Sequence, residues 1–167
     1  MTTPRDQITD ALLWYCRGID RLDAASVVRG FHPGALLVDY GPQPLTIELF
    51  AEHALQSLGA KFSATQHRIS NTLITFDGDD PASGRALVET YVLAFHVQPL
   101  DAEAGTGEVL HTFNGRYIDR FSEVDGAWRI SERTLRNDWS QIEPIDARMS
   151  GSWPASGRAG SADPIDG

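Results

Sequence analysis

The chain has 167 residues, 41% of them hydrophobic and 22% charged, enough for one domain with a sizeable core and a tail. A formal net charge of −9 and a sequence pI near 4.9 argue against nucleic acid and anionic membrane surfaces, both of which call for a basic face. A single cysteine, Cys16, rules out an internal disulfide and, with an N-terminus that lacks an apolar run behind its charge, leads us to expect a cytoplasmic protein without a signal peptide or membrane span.

Residues 5–17 carry apolar side chains at Ile8, Leu12 and Tyr15, and the series continues at Ile19 and Leu22. Steps of four and three are the stripe of an amphipathic helix. Gly18 is expected to kink or end it, and Asp23 to cap a short second helix over 24–30. Pro33-Gly34 reads as a turn, 35–40 as a strand and 41–44 as another turn. A third helix is predicted over 46–59, opened by Thr46 and closed by Gly59.

From Ser63 the period changes from helical to alternating. Residues 64–76 form a strand that carries His67 near its start, followed by the turn Asp77-Gly78-Asp79-Asp80-Pro81. Long strands are predicted over 84–98, 109–123 and 127–137, with an exposed loop at 99–107 and a hairpin turn at 124–126. Beyond Ile142 the sequence turns rich in Gly, Ser, Ala and Pro and reads as a mobile tail. The expected organisation is one α+β domain over 1–142 and a flexible tail over 143–167.

Proton abstraction beside a carbonyl or leaving group needs a weak base at working pH, and neutral imidazole is suited to it. His67 is the candidate base and Asp20 the carboxylate that would orient its ring. The alternative is a surface histidine and a helix-end cap. Tyr15 lies 140° from Asp20 around a regular helix, so a kink or a long reach must bring them to one place. Its hydroxyl either binds a substrate oxygen or is the wet tip of a core residue. Glu89, among large apolar residues, is expected to pair with Arg116 or Arg133. His96 and His111 are read as rim or subunit-contact residues. No element carries His or acidic residues at metal-ligand spacing, and no phosphate loop or serine elbow occurs, so neither metal nor cofactor is expected.

Four stretches, Tyr15-Cys16-Arg17-Gly18-Ile19-Asp20, His67 through Asn71, Gly115-Arg116-Tyr117-Ile118-Asp119 and Asp125-Gly126-Ala127-Trp128-Arg129-Ile130, come in an order that resembles the SnoaL-like branch of the nuclear transport factor 2-like superfamily. The superfamily includes enzymes of the bile-acid 7α-dehydratase, scytalone dehydratase and hexachlorocyclohexane dehydrochlorinase types. The resemblance implies a cone-shaped curved, antiparallel-rich sheet closed by N-terminal helices, a cystatin-like α+β barrel with its pocket inside. It implies a cofactor-free lyase or isomerase, dehydratase-like, with Asp20, His67 and Tyr15 catalytic and a small hydrophobic, cyclic molecule as substrate. A further acid and an arginine implied on later strands fall near Thr90 and near Arg133 or Arg136. Trp14, Thr90 and Arg133 are expected to contact substrate. Self-association as a dimer or trimer is implied as well. The alternatives are a non-catalytic small-molecule-binding module of the same fold and an accessory protein like the β-subunit of a dioxygenase.

Overall fold

The computed structural model describes residues 2–100 and 107–146. The first helix, α1 (Pro4–Arg21), starts at a capping box. Thr3 Oγ1 accepts from the Asp6 N–H at 3.2 Å, and Asp6 Oδ2 accepts from the Thr3 N–H at 2.9 Å. Such reciprocal caps satisfy amides that a helix start otherwise leaves without partners. The stripe read from the sequence is the buried face: Ile8, Leu12, Tyr15 and Ile19 are each at most 3% exposed.

Gly18 does not break α1. The helix passes through it to Arg21, and Leu22 closes it with a left-handed backbone. Glycine is required for a different reason. A Cβ at Gly18 would lie 2.5 Å from the Val27 nitrogen and 2.7 Å from Val27 Cγ2, on the short helix α2 (Ala24–Arg29). We expect Gly18→Ala to destabilise the protein by about 1–3 kcal/mol, the usual range for overpacking, read as a lower midpoint in urea unfolding. Asp23 caps α2 as its position suggests, accepting from the Ala25 and Ser26 amides at 3.0 and 3.2 Å.

Strand β1 (Phe31–Val38) absorbs the predicted Pro33-Gly34 turn as an irregularity within the strand, marked by a register shift between Phe31 and Leu36. After β2 (Leu45–Thr46), helix α3 (Ile47–Lys61) starts at the Thr46 cap and runs past Gly59, the predicted end. A Cβ at Gly59 would meet Leu22 Cδ1 at 3.1 Å, so this glycine admits the end of α1 rather than ending α3.

The alternating half of the chain folds as read. It forms β3 (Ala64–Phe76), β4 (Arg85–Pro99), β5 (Glu108–Val124) and β6 (Ala127–Pro144). Asp125 and Gly126 take φ of 52° and 78°, the paired left-handed conformation of a two-residue hairpin that matches strand twist. The last strand continues past Asn137 to Pro144, because pairing as far as Val109↔Pro144 satisfies its backbone whatever its composition. The strand thus takes in the first residues of the segment read as a tail. Residues 147–167 and most of the loop over 99–107 lie outside the described residues.

The six strands form one sheet in the order β2-β1-β6-β5-β4-β3, antiparallel throughout except for the β1–β6 pair. Register shifts at Ile69/Thr72, Asn114/Gly115 and Arg120/Phe121 mark bulges, which bend strands and increase twist. The result is a curved α+β cone closed by the N-terminal helices, with the core between helices and sheet. Among the described residues no helix is long and apolar enough to cross a membrane.

Candidate active site

A cavity of about 320 Å³ opens within the cone. Tyr15 and Ile19 of α1, Tyr40 of the β1–β2 loop, Phe50 and Leu58 of α3, and His67, His96 and Tyr117 of the sheet are among the residues that line it. The walls are mostly apolar, and the polar side chains are three tyrosines, two histidines and Ser57. This is the usual make-up of a small-molecule site.

His67 lines this cavity and meets Asp20 on the side away from it. Asp20 Oδ1 accepts from His67 Nδ1 at 2.7 Å, and Asp20 Oδ2 accepts from the His67 backbone N–H at 2.8 Å. An ionised carboxylate can only accept, so Nδ1 carries the proton and Nε2 is the basic nitrogen. The two side chains are 10% and 20% exposed. Asp20 sits in the last turn of α1 and His67 on β3, an edge strand of the sheet. The ring of His96 lies edge-on to that of His67 at 5.3 Å. Opposite His67 stands Ala94, whose small side chain leaves room at the wall.

No kink brings Tyr15 and Asp20 together. Tyr15 faces the cavity, while Asp20 lines a separate groove with Arg17, Arg21, Thr65 and Gln66. His67 lines both spaces, so the 140° between the two helix residues corresponds to the two sides of the imidazole. The Tyr15 and Tyr40 hydroxyls are 3.4 Å apart, and the Tyr15 ring meets Tyr117 edge-on at 5.7 Å.

The three expected substrate contacts are placed elsewhere. Trp14 lies on α1 under the guanidinium of Arg29, 3.9 Å from its ring centroid, away from the cavity lining. Thr90 is wholly buried within the sheet layer, and its Oγ1 has no hydrogen-bond partner among the described residues. Arg133 is wholly buried too, behind the tyrosines, and donates from Nε and Nη2 to Asp119 at 2.7 Å each. Glu89 pairs with Arg116 at 3.2 Å, as one of its two expected partners; Arg133 is taken by Asp119. Arg136, the other arginine of that region, pairs with Asp39 beside Tyr40. His96, read as a rim residue, lines the cavity, and His111 bonds Gln98 at 2.8 Å. Cys16 is buried, and desolvation pushes its thiol up to about 12, which leaves it inert as a nucleophile. Among the described residues, no cluster of three His, Cys, Asp or Glu forms that could hold a metal ion.

Tyr40, Tyr117 and Asp119 are the residues to which sequence reasoning gave no role. One signal was available for Asp119. It alternates with Tyr117 and Phe121, which puts an acid on a buried aromatic face and demands a buried cation.

The profile described as a SnoaL-like domain matches residues 1–134. The chain belongs to the SnoaL-like family. Solved structures similar to this SnoaL-like chain include a candidate scytalone dehydratase from Novosphingobium aromaticivorans, 21% identical over 95% of each chain with a TM-score of 0.66. The hexachlorocyclohexane dehydrochlorinase LinA-type3 from Novosphingobium barchaimii is 15% identical, over 89% of this chain and 94% of its own, with a TM-score of 0.66. A candidate aromatic ring hydroxylase from Novosphingobium aromaticivorans is 18% identical, over 87% and 96%, with a TM-score of 0.65. No curated protein matches. At these identities the likeness shows the fold of the SnoaL-like chain.

Burial pushes the Tyr15, Tyr40 and Tyr117 hydroxyls of the SnoaL-like chain above the ordinary value of 10.0. These phenols keep their protons in the folded state where an unfolded chain would release them. The stability they contribute is therefore complete below the unfolded value and is lost as pH rises above about 10. We expect alkaline unfolding in that range, with the ultraviolet tyrosinate signal of these three buried phenols appearing together with loss of helical circular dichroism, apart from that of the exposed Tyr91.

Proposed function

We propose that this protein is a dehydratase-like lyase acting on a small hydrophobic, cyclic substrate, with His67 as base, Asp20 as its orienting partner and Tyr15 at a substrate oxygen. The observation that carries this reading is the 2.7 Å bond from His67 Nδ1 to Asp20, made by a histidine that also lines an apolar cavity. In the proposed step, His67 Nε2 takes a proton from the carbon beside a substrate carbonyl. The C–H electron pair becomes the new C=C bond, and the β C–O bond breaks. The departing oxygen takes that proton from the His67 imidazolium and leaves as water, which returns the imidazole to its neutral form. Asp20 fixes the tautomer and stabilises the imidazolium, while Tyr15, with Tyr40 beside it, donates to the carbonyl oxygen as negative charge builds there.

A panel of cyclic β-hydroxyketones of one to three rings tests this reading, with the conjugated enone product followed by its absorbance. Turnover that disappears in His67→Ala supports it. For Asp20→Asn we expect a drop in kcat of about 10²–10⁴-fold, from lost orientation and charge, with a much smaller change in KM. Tight binding across the panel without turnover would favour the non-catalytic binding module.

We also propose that the protein acts in the cytoplasm and forms a dimer or trimer through the outer face of the sheet, where Leu73, Leu87 and Tyr91 are 66%, 46% and 43% exposed. Light scattering should give a mass of two or three chains at micromolar concentration, and a monomer would count against it. A stable complex with a larger, unrelated subunit would instead favour the accessory reading. The domain is proposed to end near residue 142. Since β6 reaches Pro144, removal of the chain after Met149 should leave the melting temperature unchanged.

A further inference from the structure

The buried ion pair behind the cavity has no part in the step above, and it is costly to keep. Arg133 and Asp119 are both 0% exposed, and desolvating two charges is repaid only when their geometry is good and their remaining hydrogen bonds are met. Asp119 occupies one edge of the guanidinium, through Nε and Nη2. Nη1 is left without a hydrogen-bond acceptor among the described residues. The carbon at the centre of the guanidinium lies 4.0 Å from the Tyr117 ring centroid and 4.3 Å from that of Tyr15. The pair therefore has a direction. Its negative end is held against the strand by Asp119, and its positive end lies against the two phenols that line the cavity.

From this placement we propose that Arg133, held by Asp119, is a positioning residue that acts through Tyr15 and Tyr117, making the cavity selective for a ligand oxygen that is anionic when bound, such as an enolate or phenolate. The inference rests on the reading of Tyr15 as the residue at the substrate oxygen. A cation behind a phenol ring strengthens the hydroxyl as a donor, and a donor aimed into an apolar space favours an acceptor that carries charge. Burial pushes the Tyr15 and Tyr40 hydroxyls up, and the charge of Arg133 is the largest influence acting against that rise at both. Phe31, 5.3 Å from the same guanidinium, completes the aromatic surroundings and adds no acceptor that would divert it.

The test uses two probes of one shape, 4-nitrophenol and its neutral methyl ether 4-nitroanisole. At a pH equal to the pKa of the free phenol, the wild-type protein should hold the dye mainly as phenolate, about ten-fold enriched over free solution by its absorption spectrum. In Arg133→Met/Asp119→Leu, where an apolar pair replaces both charges and leaves neither orphaned, that enrichment should vanish while affinity for 4-nitroanisole stays the same. Loss of both probes together would reduce the pair to a structural role and overturn the proposal. Phenolate enrichment that survives in the double variant, or a wild-type cavity that takes the dye only as the neutral phenol or not at all, would overturn it as well. If the double variant fails to fold, Arg133→Lys decides: it keeps the cation, so the enrichment must persist, and its loss counts against the proposal. Phenolate selectivity without turnover on the ketone panel would sink the lyase reading and leave this inference standing.

Discussion

Replacing His67 with alanine is expected to reduce turnover by about 10²–10⁴-fold, the usual contribution of a positioned general base. The side chain contributes the basic Nε2, and Asp20 holds it through Nδ1 at 2.7 Å. The other imidazole that lines the cavity, His96, sits 5.3 Å away, ring centroid to ring centroid. The fold should survive. After the substitution Asp20 still accepts from the residue 67 backbone amide and remains partly solvated, so no charge is stranded. The measurement is kcat on the substrate found in the ketone panel, alongside circular dichroism and a thermal melt. A variant that keeps full activity would leave the fold and family assignments in place and remove the histidine from the chemistry.

Breaking the buried pair from one side is expected to be the most damaging change to stability. Asp119→Ala leaves the Arg133 guanidinium wholly buried without its carboxylate, and such uncompensated charges cost about 3–5 kcal/mol. Desolvation bears on both partners. It pushes the Asp119 carboxyl up, and Arg133, which burial alone would bring down, is held well above its ordinary value by the charge of Asp119. Removing both together, as in Arg133→Met/Asp119→Leu, should recover most of the loss, because apolar side chains of similar volume avoid the desolvation penalty altogether. Urea unfolding of the two single variants and the double variant forms a cycle. A loss in the double variant equal to the sum of the two single losses would show that the pair is not coupled.

Much of this protein was legible along the chain because the relevant interactions are local or periodic. The α1 stripe of Ile8, Leu12, Tyr15 and Ile19 follows from one face of a helix. The hairpin at Asp125-Gly126 follows from two residues that tolerate positive φ. Strand β3 falls on the residues its alternation marks, and His67 and Asp20 stand out by residue type and by the order of the surrounding motifs. Glycines were misread where their cause was not local. Gly18 and Gly59 look like helix breakers in sequence, yet each sits inside a helix: at Gly18 the backbone of α2 approaches too closely for a Cβ, and at Gly59 a Cβ would press on the tip of the Leu22 side chain at 3.1 Å. Nothing in either helix announces that neighbour.

The site divides along the same line. By itself the sequence determined the α+β class, the helix that bears Tyr15 and Asp20, and the strand that bears His67, since backbone propensity and side-chain period act over a few residues. Tertiary structure alone decided how these groups face one another. It put Tyr15 in the cavity and Asp20 in the outer groove, with His67 between them. It brought Tyr40 from a loop to within 3.4 Å of Tyr15. It also chose the partner of Asp119. From the turn, Val124 pairs with Ala127 and Phe121 with Ile130, and an unbroken register would carry on to set Asp119 against Glu132, acid against acid. The bulge between Arg120 and Phe121 shifts the pairing by one residue and sets Arg133 there instead. A bulge costs one backbone pairing and reverses the sign of the charge that a buried carboxylate meets. That balance is struck across two strands and the core behind them, where the local sequence of either strand has no say.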